Sequence, residues 1–247
     1  MGTTLSKNRI WEIDALRGLL IPGMVLIHLI FDLVYLYGLL PWNVPDWYWA
    51  FSNNYGASFV LLSGVSVTLG SKSVKRGLTV FLGGMACTAV TAGMYVLGMA
   101  DKSIIIYFGV LHCLGVCMML WPLFRNWKSW QLAVLGAALT VAGWAVRYRA
   151  LVDFPWLIPL GIRDVGFSSS DYYPLMPNLG YFLLGAAAGK ALYREKKSLF
   201  PDFPSERPEV RFLRRCGVHS LTIYLLHQPV LAALCELLVL LKKAVNL

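Results

Sequence analysis

The chain has 247 residues, of which 57% are hydrophobic and 14% are charged, and its mean hydropathy is +0.61. Soluble domains carry about 25% charged residues, so this composition excludes a water-soluble domain of this size and indicates a polytopic protein of the lipid bilayer. The net charge of +9 is the excess of Lys and Arg that membrane proteins place in cytoplasmic loops, and we therefore expect no nucleic-acid partner.

Several apolar runs approach the length of about 20 residues that crosses a bilayer core. The pattern predicts an all-α fold, a single domain over residues 1–247, and a bundle of seven membrane helices with an eighth left open. The predicted spans are residues 15–39, 55–70, 77–99, 104–123, 130–150, 175–193 and 217–241. An apolar patch at residues 154–162 contains two prolines and is too short to span, so we expect a re-entrant or interfacial segment there.

Basic residues predict the orientation. If the amino terminus is cytoplasmic, most of the basic residues lie on the cytoplasmic side of the membrane. They are those of the basic loop 194–215 together with Lys7, Arg9, Lys72, Lys75, Arg76, Arg125 and Lys128. The opposite loops hold chiefly Lys102 and Arg163, with Arg147 and Arg149 at the membrane edge. We therefore expect a cytoplasmic amino terminus, an outer carboxyl terminus and location in a bacterial cytoplasmic membrane. Lys242 and Lys243 oppose this orientation, and an eighth helix would remove the conflict.

An ionisable pair lies inside the first apolar run. His28 and Asp32 are four residues apart, so they share one helix face about one turn from each other. Ionisable side chains inside a membrane helix are costly and mark functional sites. A carboxylate at this spacing orients an imidazole and stabilises its charged form, which predicts that His28 and Asp32 are catalytic. The alternative is a histidine that only hydrogen-bonds between helices.

Two further histidines fall at similar depths in the predicted helices. His112 lies eight residues, His227 ten and His28 ten from the edges of their apolar runs, which corresponds to about 12 to 15 Å at about 1.5 Å per residue. All three then lie near the midplane of a core about 30 Å thick. A buried catalytic site, a bis-histidine haem and a small proton-coupled transporter each fit this arrangement, and the lack of an inverted repeat favours the enzyme.

Other polar residues lie at the predicted membrane edges. Asp14 and Arg17, three residues apart at the cytoplasmic end of the first helix, pair locally or help to position the phosphates of an anionic donor. Asp171 precedes the sixth helix on the outer side, where an acceptor would bind. The aromatic residues between positions 42 and 51 form an interfacial belt or stack on a sugar ring.

The five cysteines lie in or beside apolar segments, and their odd number predicts free thiols. His112, Cys113 and Cys117 are metal-type ligands, but His112 is displaced from the face that the two cysteines share. The sequence has neither a CxxC nor an HExxH motif, so we expect no metal.

Several stretches resemble one family, and they occur in order along the chain. Arg9-x4-Asp14-x2-Arg17-Gly18, leading into Met24-Val-Leu-Ile-His28, resembles the opening of the heparan-alpha-glucosaminide N-acetyltransferase catalytic-domain family, whose broader relatives are transmembrane acyltransferases that O-acylate cell-surface sugars. The further stretches are Phe59-Val-Leu-Leu-Ser63-Gly64-Val, Gly109-Val-Leu-His112-Cys-Leu-Gly115, Pro174-Leu-Met-Pro177-Asn-Leu-Gly180 with Gly185, and Gly217-Val-His219-Ser220-Leu-Thr-Ile-Tyr224-Leu-Leu-His227-Gln228-Pro229.

This resemblance implies a cytoplasmic acyl-CoA donor, commonly acetyl-CoA, and an acceptor on the other side of the membrane, usually a sugar hydroxyl or amine. The sugar O-acyltransferase relatives have an essential histidine in the first helix, which corresponds to His28. We expect His28, oriented by Asp32, to act as general base on the acceptor or to be transiently acylated. We expect His112, His227 and Gln228 to line the same cavity. The acceptor and the presence of a homodimer stay open.

The sequence departs from the family at one point. The lysosomal enzyme has asparagine at the position of His28 and uses a histidine in the loop that follows. The corresponding loop here, residues 40–54, contains no histidine. The histidine role therefore shifts to His28 or is absent.

Overall fold

The structure is a computed structural model that describes residues 9–147, 154–164 and 166–245, without the side chains of Asn53, Arg147 and Pro155. Over these residues the secondary structure is eight α-helices, short π- and 3₁₀-helical segments, and an isolated β-bridge between Phe108 and Tyr172. The predicted all-α fold is therefore confirmed. Lys7, Arg149 and the end of the fifth predicted helix lie outside the described residues.

The α-helices are α1 (Trp11–Phe31), α2 (Asp46–Val67), α3 (Ser73–Val96), α4 (Val110–Phe124), α5 (Ser129–Arg147), α6 (Leu175–Leu192), α7 (Pro208–Val218) and α8 (Ser220–Val245). A π-helical segment, Asp32–Leu36, continues α1. The 3₁₀ segments are Lys102–Ile104 and Pro155–Leu160. The second of these lies in the apolar patch that is too short to span a bilayer.

Four described helical stretches are long and apolar enough to cross a membrane. They are Trp11–Leu36, Ser73–Val96, Ser129–Val146 and Ser220–Val245. Helix α4 is apolar but has only 15 residues. The apolar helices indicate a membrane-embedded protein, whose immediate partner is the lipid bilayer.

The second helix begins earlier than predicted. It starts at Asp46, so the prediction of a loop over residues 40–54 is wrong from that point on. Tertiary contacts support the added turns, because the hydroxyl of Tyr48 donates to the carbonyl of Ile27 at 2.7 Å and that of Tyr55 to Leu20 at 2.9 Å. These turns contain both polar and aromatic residues, so a search for continuous apolar stretches does not detect them.

The fourth helix begins later than predicted, at Val110 rather than residue 104. The preceding backbone is held instead by contacts with distant residues. Ile106 donates its N–H to the hydroxyl of Thr91 and accepts from Thr88, while the carbonyl of Phe108 accepts from the N–H of Tyr173. These bonds replace the helical ones before Val110. His112 therefore lies in the first turn of α4, and the rise of about 12 Å predicted for it along a helix from residue 104 is wrong.

Helix α7 begins inside the stretch predicted to be the basic loop 194–215 and continues to Val218, so the prediction of a loop is wrong from Pro208 on. Proline at the first helical position suits a helix start, since its missing N–H has no intrahelical partner there. α7 carries an acidic residue in its first turn and basic residues toward its end, as the helix dipole favours. His219 separates it from α8 with a non-helical backbone.

The chain divides into two compact units, one comprising Met1–Tyr55 with Phe200–Leu247 and the other Gly56–Leu199. In the first unit, α1 crosses α7 at two glycines. A Cβ added to Gly18 would collide with the carbonyl of Leu213, and one added to Gly217 with the carbonyl of Asp14. Small residues allow helix backbones in membrane proteins to approach this closely. These contacts hold the amino-terminal half of α1 against α7.

In the second unit, the same device joins α6 to its neighbours. Gly185 packs against the backbone of Leu61 in α2, and Gly180 packs against Gly136 in α5. These contacts leave no room for a side chain at either position, so they determine which faces of α6 meet α2 and α5.

Candidate functional site

Two histidines predicted for the site meet in the first unit. His28, on α1, and His227, on α8, have ring centroids 4.8 Å apart with the planes at 70°. His28 is half-buried, whereas His227 is 9% exposed. The edge of one ring therefore faces the other ring, and His28 is the more accessible of the two.

Hydrogen bonds define the tautomer of both rings. Nδ1 of His28 lies 2.8 Å from the carbonyl oxygen of Met24, and Nδ1 of His227 contacts the carbonyl of Tyr224. Because a carbonyl oxygen can only accept, each Nδ1 carries the proton and each neutral ring keeps a lone pair on Nε2. Nε2 of His227 is buried and has no hydrogen-bond partner among the described residues.

Asp32 pairs with Gln228 across α1 and α8. The side-chain nitrogen of Gln228 donates to both carboxylate oxygens of Asp32 at 2.9 Å, and Asp32 is 0% exposed. The described contacts of His28 are with Met24 and His227 rather than with Asp32. Asp32 is therefore held by α8, through the residue that follows His227.

The backbone changes at the same point. The π-helical segment starts at Asp32, whose carbonyl accepts from the N–H of Tyr37 at 2.8 Å. π-Helical segments are rare in proteins, and those that occur are often found at functional sites. The hydroxyl of Tyr37 donates to the carbonyl of Ala232 at 3.4 Å, which adds a second tie between this segment and α8.

At the other end of α1, Asp14 binds two arginines. Arg9 makes a bidentate contact with its carboxylate at 2.7 and 2.8 Å, and Arg17 lies 3.5 Å from it. The hydrogen bond to Asp14 raises the pKa of the Arg9 guanidinium above its ordinary value. The local pairing of Asp14 with Arg17 thus exists, but Arg9, which the sequence did not indicate as a partner, makes the shorter contacts. A separation of five residues matches neither the i, i+3 nor the i, i+4 spacing of helical pairs, so the sequence gives little signal for such a bond.

The remaining predicted residues, His112 and Asp171, lie in the second unit, where both cap the start of α4. Nδ1 of His112 accepts from the N–H of Gly109 at 3.1 Å, and the carboxylate of Asp171 accepts from the N–H of Val110 at 3.0 Å. Nε2 of His112 then carries the proton and points to the hydroxyl of Thr88 at 3.3 Å. The tautomer of His112 is thus the opposite of that of His28.

Packing also holds the His112 ring. It is 2% exposed and lies against Phe81 at 5.5 Å and Phe108 at 5.6 Å, centroid to centroid. A Cβ added to Gly84 would touch the ring. These contacts give His112 a structural task, and its predicted role in substrate binding stays a prediction.

The five cysteines are free. Cys113 and Cys117 are both buried residues of α4, and their sulfurs lie 4.0 Å apart. Among the described residues there is no group of three or more His, Cys, Asp or Glu side chains that would hold a metal ion.

The arrangement in the first unit supports proton transfer. A half-buried imidazole with a fixed tautomer presents a lone pair, and a second imidazole and a buried carboxylate lie within one or two helical turns of it. These are the parts that a general base or an activated nucleophile requires.

Comparison with known proteins shows the family of the chain. A search of curated proteins and a search of solved structures returned no match. The family model described as "Heparan-alpha-glucosaminide N-acetyltransferase, catalytic" matches residues 9–229, a range that includes all eight predicted site residues. This family implies a membrane acetyltransferase-like function of the type that depends on acetyl-CoA. The chain therefore belongs to the heparan-alpha-glucosaminide N-acetyltransferase catalytic-domain family.

Proposed function

We propose that the protein moves an acyl group, commonly acetyl, from cytoplasmic acyl-CoA to an acceptor on the other side of the membrane, a sugar hydroxyl or amine. Family membership supports the acetyltransferase chemistry. The excess of basic residues in the loops assigned to the cytoplasm supports a cytoplasmic amino terminus and a cytoplasmic donor. The proposed location is a bacterial cytoplasmic membrane.

The observation that carries the proposal is the tautomer of His28. Its Nδ1 proton is held by the carbonyl of Met24, so Nε2 is the atom with a lone pair. Half-burial leaves this ring accessible to a substrate, unlike the enclosed ring of His112. A histidine with one nitrogen fixed and the other accessible is arranged as a general base.

In the proposed reaction, the acceptor oxygen or nitrogen bonds to the acyl carbon while Nε2 of His28 takes its proton. The carbon–sulfur bond then breaks, and the imidazolium returns the proton to the departing thiolate of CoA. The buried carboxylate of Asp32, one helical turn away, stabilises the imidazolium. In the alternative course, Nε2 of His28 itself bonds to the acyl carbon, the carbon–sulfur bond breaks and CoA departs as its thiolate. The acceptor then bonds to the acyl carbon, the carbon–nitrogen bond to His28 breaks, and the proton of the acceptor passes to the thiolate of CoA.

The other residues have supporting roles. His227 limits how the His28 ring can turn, and Gln228 holds Asp32 in place. Asp14 keeps Arg17 at the start of α1, where Arg17 is proposed to contact a phosphate of the donor.

The test measures acetyl transfer in membranes from radiolabelled acetyl-CoA to a panel of sugars and amino sugars. We expect His28→Ala to lower transfer by about 100-fold or more. The substitution should lower the Tm by only about 2–4 °C, because it removes one neutral hydrogen bond. Label retained on the wild-type protein but absent from His28→Ala would indicate the acylated intermediate.

His219→Ala is the matched control, since His219 is an exposed histidine between α7 and α8. It should transfer acetyl groups at the wild-type rate. A folded His28→Ala protein with full transfer would contradict the proposal.

A further inference from the structure

A basic cavity lies in the second unit, remote in sequence from the histidine pair. It has a volume of about 520 Å³ and is formed by the turn between α2 and α3, the turn between α4 and α5, and the end of α6. Among the described residues twelve line it, none of them acidic and four of them basic, namely Lys72, Lys75, Arg125 and Lys190. A cavity of this size is within the range of small-molecule sites, about 300–1,000 Å³.

The sequence around the cavity does not supply counter-charges. There is no Asp or Glu between residues 47 and 100 or between residues 102 and 152. The two turns that line the cavity therefore carry positive charge without carboxylates of their own. Clustered like charges repel each other, and a bound anion would relieve that repulsion.

Lys190 has a fixed position in this cavity. Its ammonium donates to the carbonyl oxygens of Arg125 at 2.5 Å and Trp127 at 2.6 Å, and it lies 5.7 Å from the centroid of the Trp121 ring. Two of its three donors are thus used to hold the α4–α5 turn. The side chains of Lys72, Lys75 and Arg125 are exposed and are the ones that can adjust to a ligand.

The start of α3 adds a second source of positive potential. Ser73, the first residue of this 24-residue helix, lines the cavity and is 6% exposed. The N-cap residue is Lys72, and no side chain caps the helix. Helix amino termini with uncapped N–H groups attract phosphates.

We propose that this cavity binds phosphate groups through Lys72, Lys75, Arg125 and the start of α3. One source of this chemistry is the nucleotide half of a CoA molecule, and this source deepens the proposed function and rests on it. Lys72 and Arg125 lie in the two turns and Lys75 lies at the start of α3. The basic-residue distribution assigns all three to the cytoplasm, the side of the donor. The headgroup of an anionic lipid is a second source of the same chemistry.

The experiment uses the full chain in lipid nanodiscs and compares two ligands, CoA and acetyl-pantetheine, which lacks the nucleotide phosphates. We expect the double variant Lys72→Ala, Lys75→Ala to bind CoA about tenfold more weakly at low salt and to leave acetyl-pantetheine binding unchanged. Replacement of both lysines by arginine should restore most of the CoA affinity. Lys128→Ala is the matched control, because Lys128 is exposed in the same α4–α5 turn but does not line the cavity.

Nanodiscs with and without phosphatidylglycerol separate the two phosphate sources. Retention of phosphatidylglycerol that depends on the two lysines, with unchanged CoA affinity, would support the phosphate site and assign it to a lipid. If the folded double variant binds both CoA and phosphatidylglycerol as the wild type does, the proposal is overturned. A wild-type protein that binds CoA through the cavity but transfers no acetyl group would refute the proposed function and leave the cavity site standing.

Discussion

Replacing Gln228 with leucine is expected to destabilise the protein strongly, because Asp32 depends on it for two hydrogen bonds of 2.9 Å and is 0% exposed. A hydrogen bond to a charged group contributes about 1.5–3 kcal/mol. A buried charge that loses its partner costs about 3–5 kcal/mol. We therefore expect a loss of about 3–5 kcal/mol in the free energy of unfolding, which lowers the Tm by about 10 °C in a chain of this size.

Thermal unfolding of the detergent-solubilised protein measures this effect in a double-mutant cycle with Asp32→Asn. Once the charge is removed, Gln228→Leu should cost only about 1 kcal/mol, the value of a neutral hydrogen bond. Gln131→Leu is the control, because Gln131 accepts one exposed backbone bond at 2.8 Å from Lys128. A coupling energy below about 0.5 kcal/mol, the usual limit of additivity, would refute the inferred hydrogen bonding of Gln228 to a charged Asp32.

Two further predictions concern packing. Gly18→Ala should lower the free energy of unfolding by about 1–3 kcal/mol, because its Cβ would meet a backbone carbonyl of α7. Gly93→Ala, at a helix position with open space, is the control and should raise the free energy of unfolding by about 0.5–1 kcal/mol. Equal Tm values for the two variants would contradict the α1–α7 crossing. His112→Ala should cost about 2–4 kcal/mol, since it removes a buried ring and a helix cap; an unchanged Tm with a raised KM for the donor or acceptor would instead support a binding role.

The histidine site shows which residues of a site a local sequence pattern can predict and which it cannot. The presence of ionisable groups in an apolar run was enough to select His28 and Asp32, because the cost of such groups in a bilayer does not depend on the rest of the fold. Their partners were not evident. Gln228 is 196 residues from Asp32, and no periodicity relates positions so far apart. The direct His28–Asp32 contact expected from spacing is replaced by bonds to Met24 and Gln228.

Helix bounds show the same limit. The apolar runs predicted α3, α5 and α6 closely, since their length and composition suffice to define them. The start of α4 at Val110 could not be predicted, because residues before it exchange helical bonds for bonds to Thr91 and Tyr173. The basic helix α7 was hidden for another reason. It is amphipathic and charged, so a search for apolar runs passes over it.

The sequence by itself determined the class of the protein, its helical membrane-embedded nature, its family and the histidine on which the proposed chemistry depends. These follow from composition and ordered motifs, which are properties of the chain alone. Only the tertiary structure decided which nitrogen of His28 keeps its lone pair and which residue holds Asp32. It also decided that two separate turns form one basic cavity. The partner of Asp32 and the cavity depend on the approach of groups that are distant in sequence, which helix packing determines. The lone pair of His28 depends on the side-chain orientation that places its ring against the carbonyl of Met24, four residues earlier.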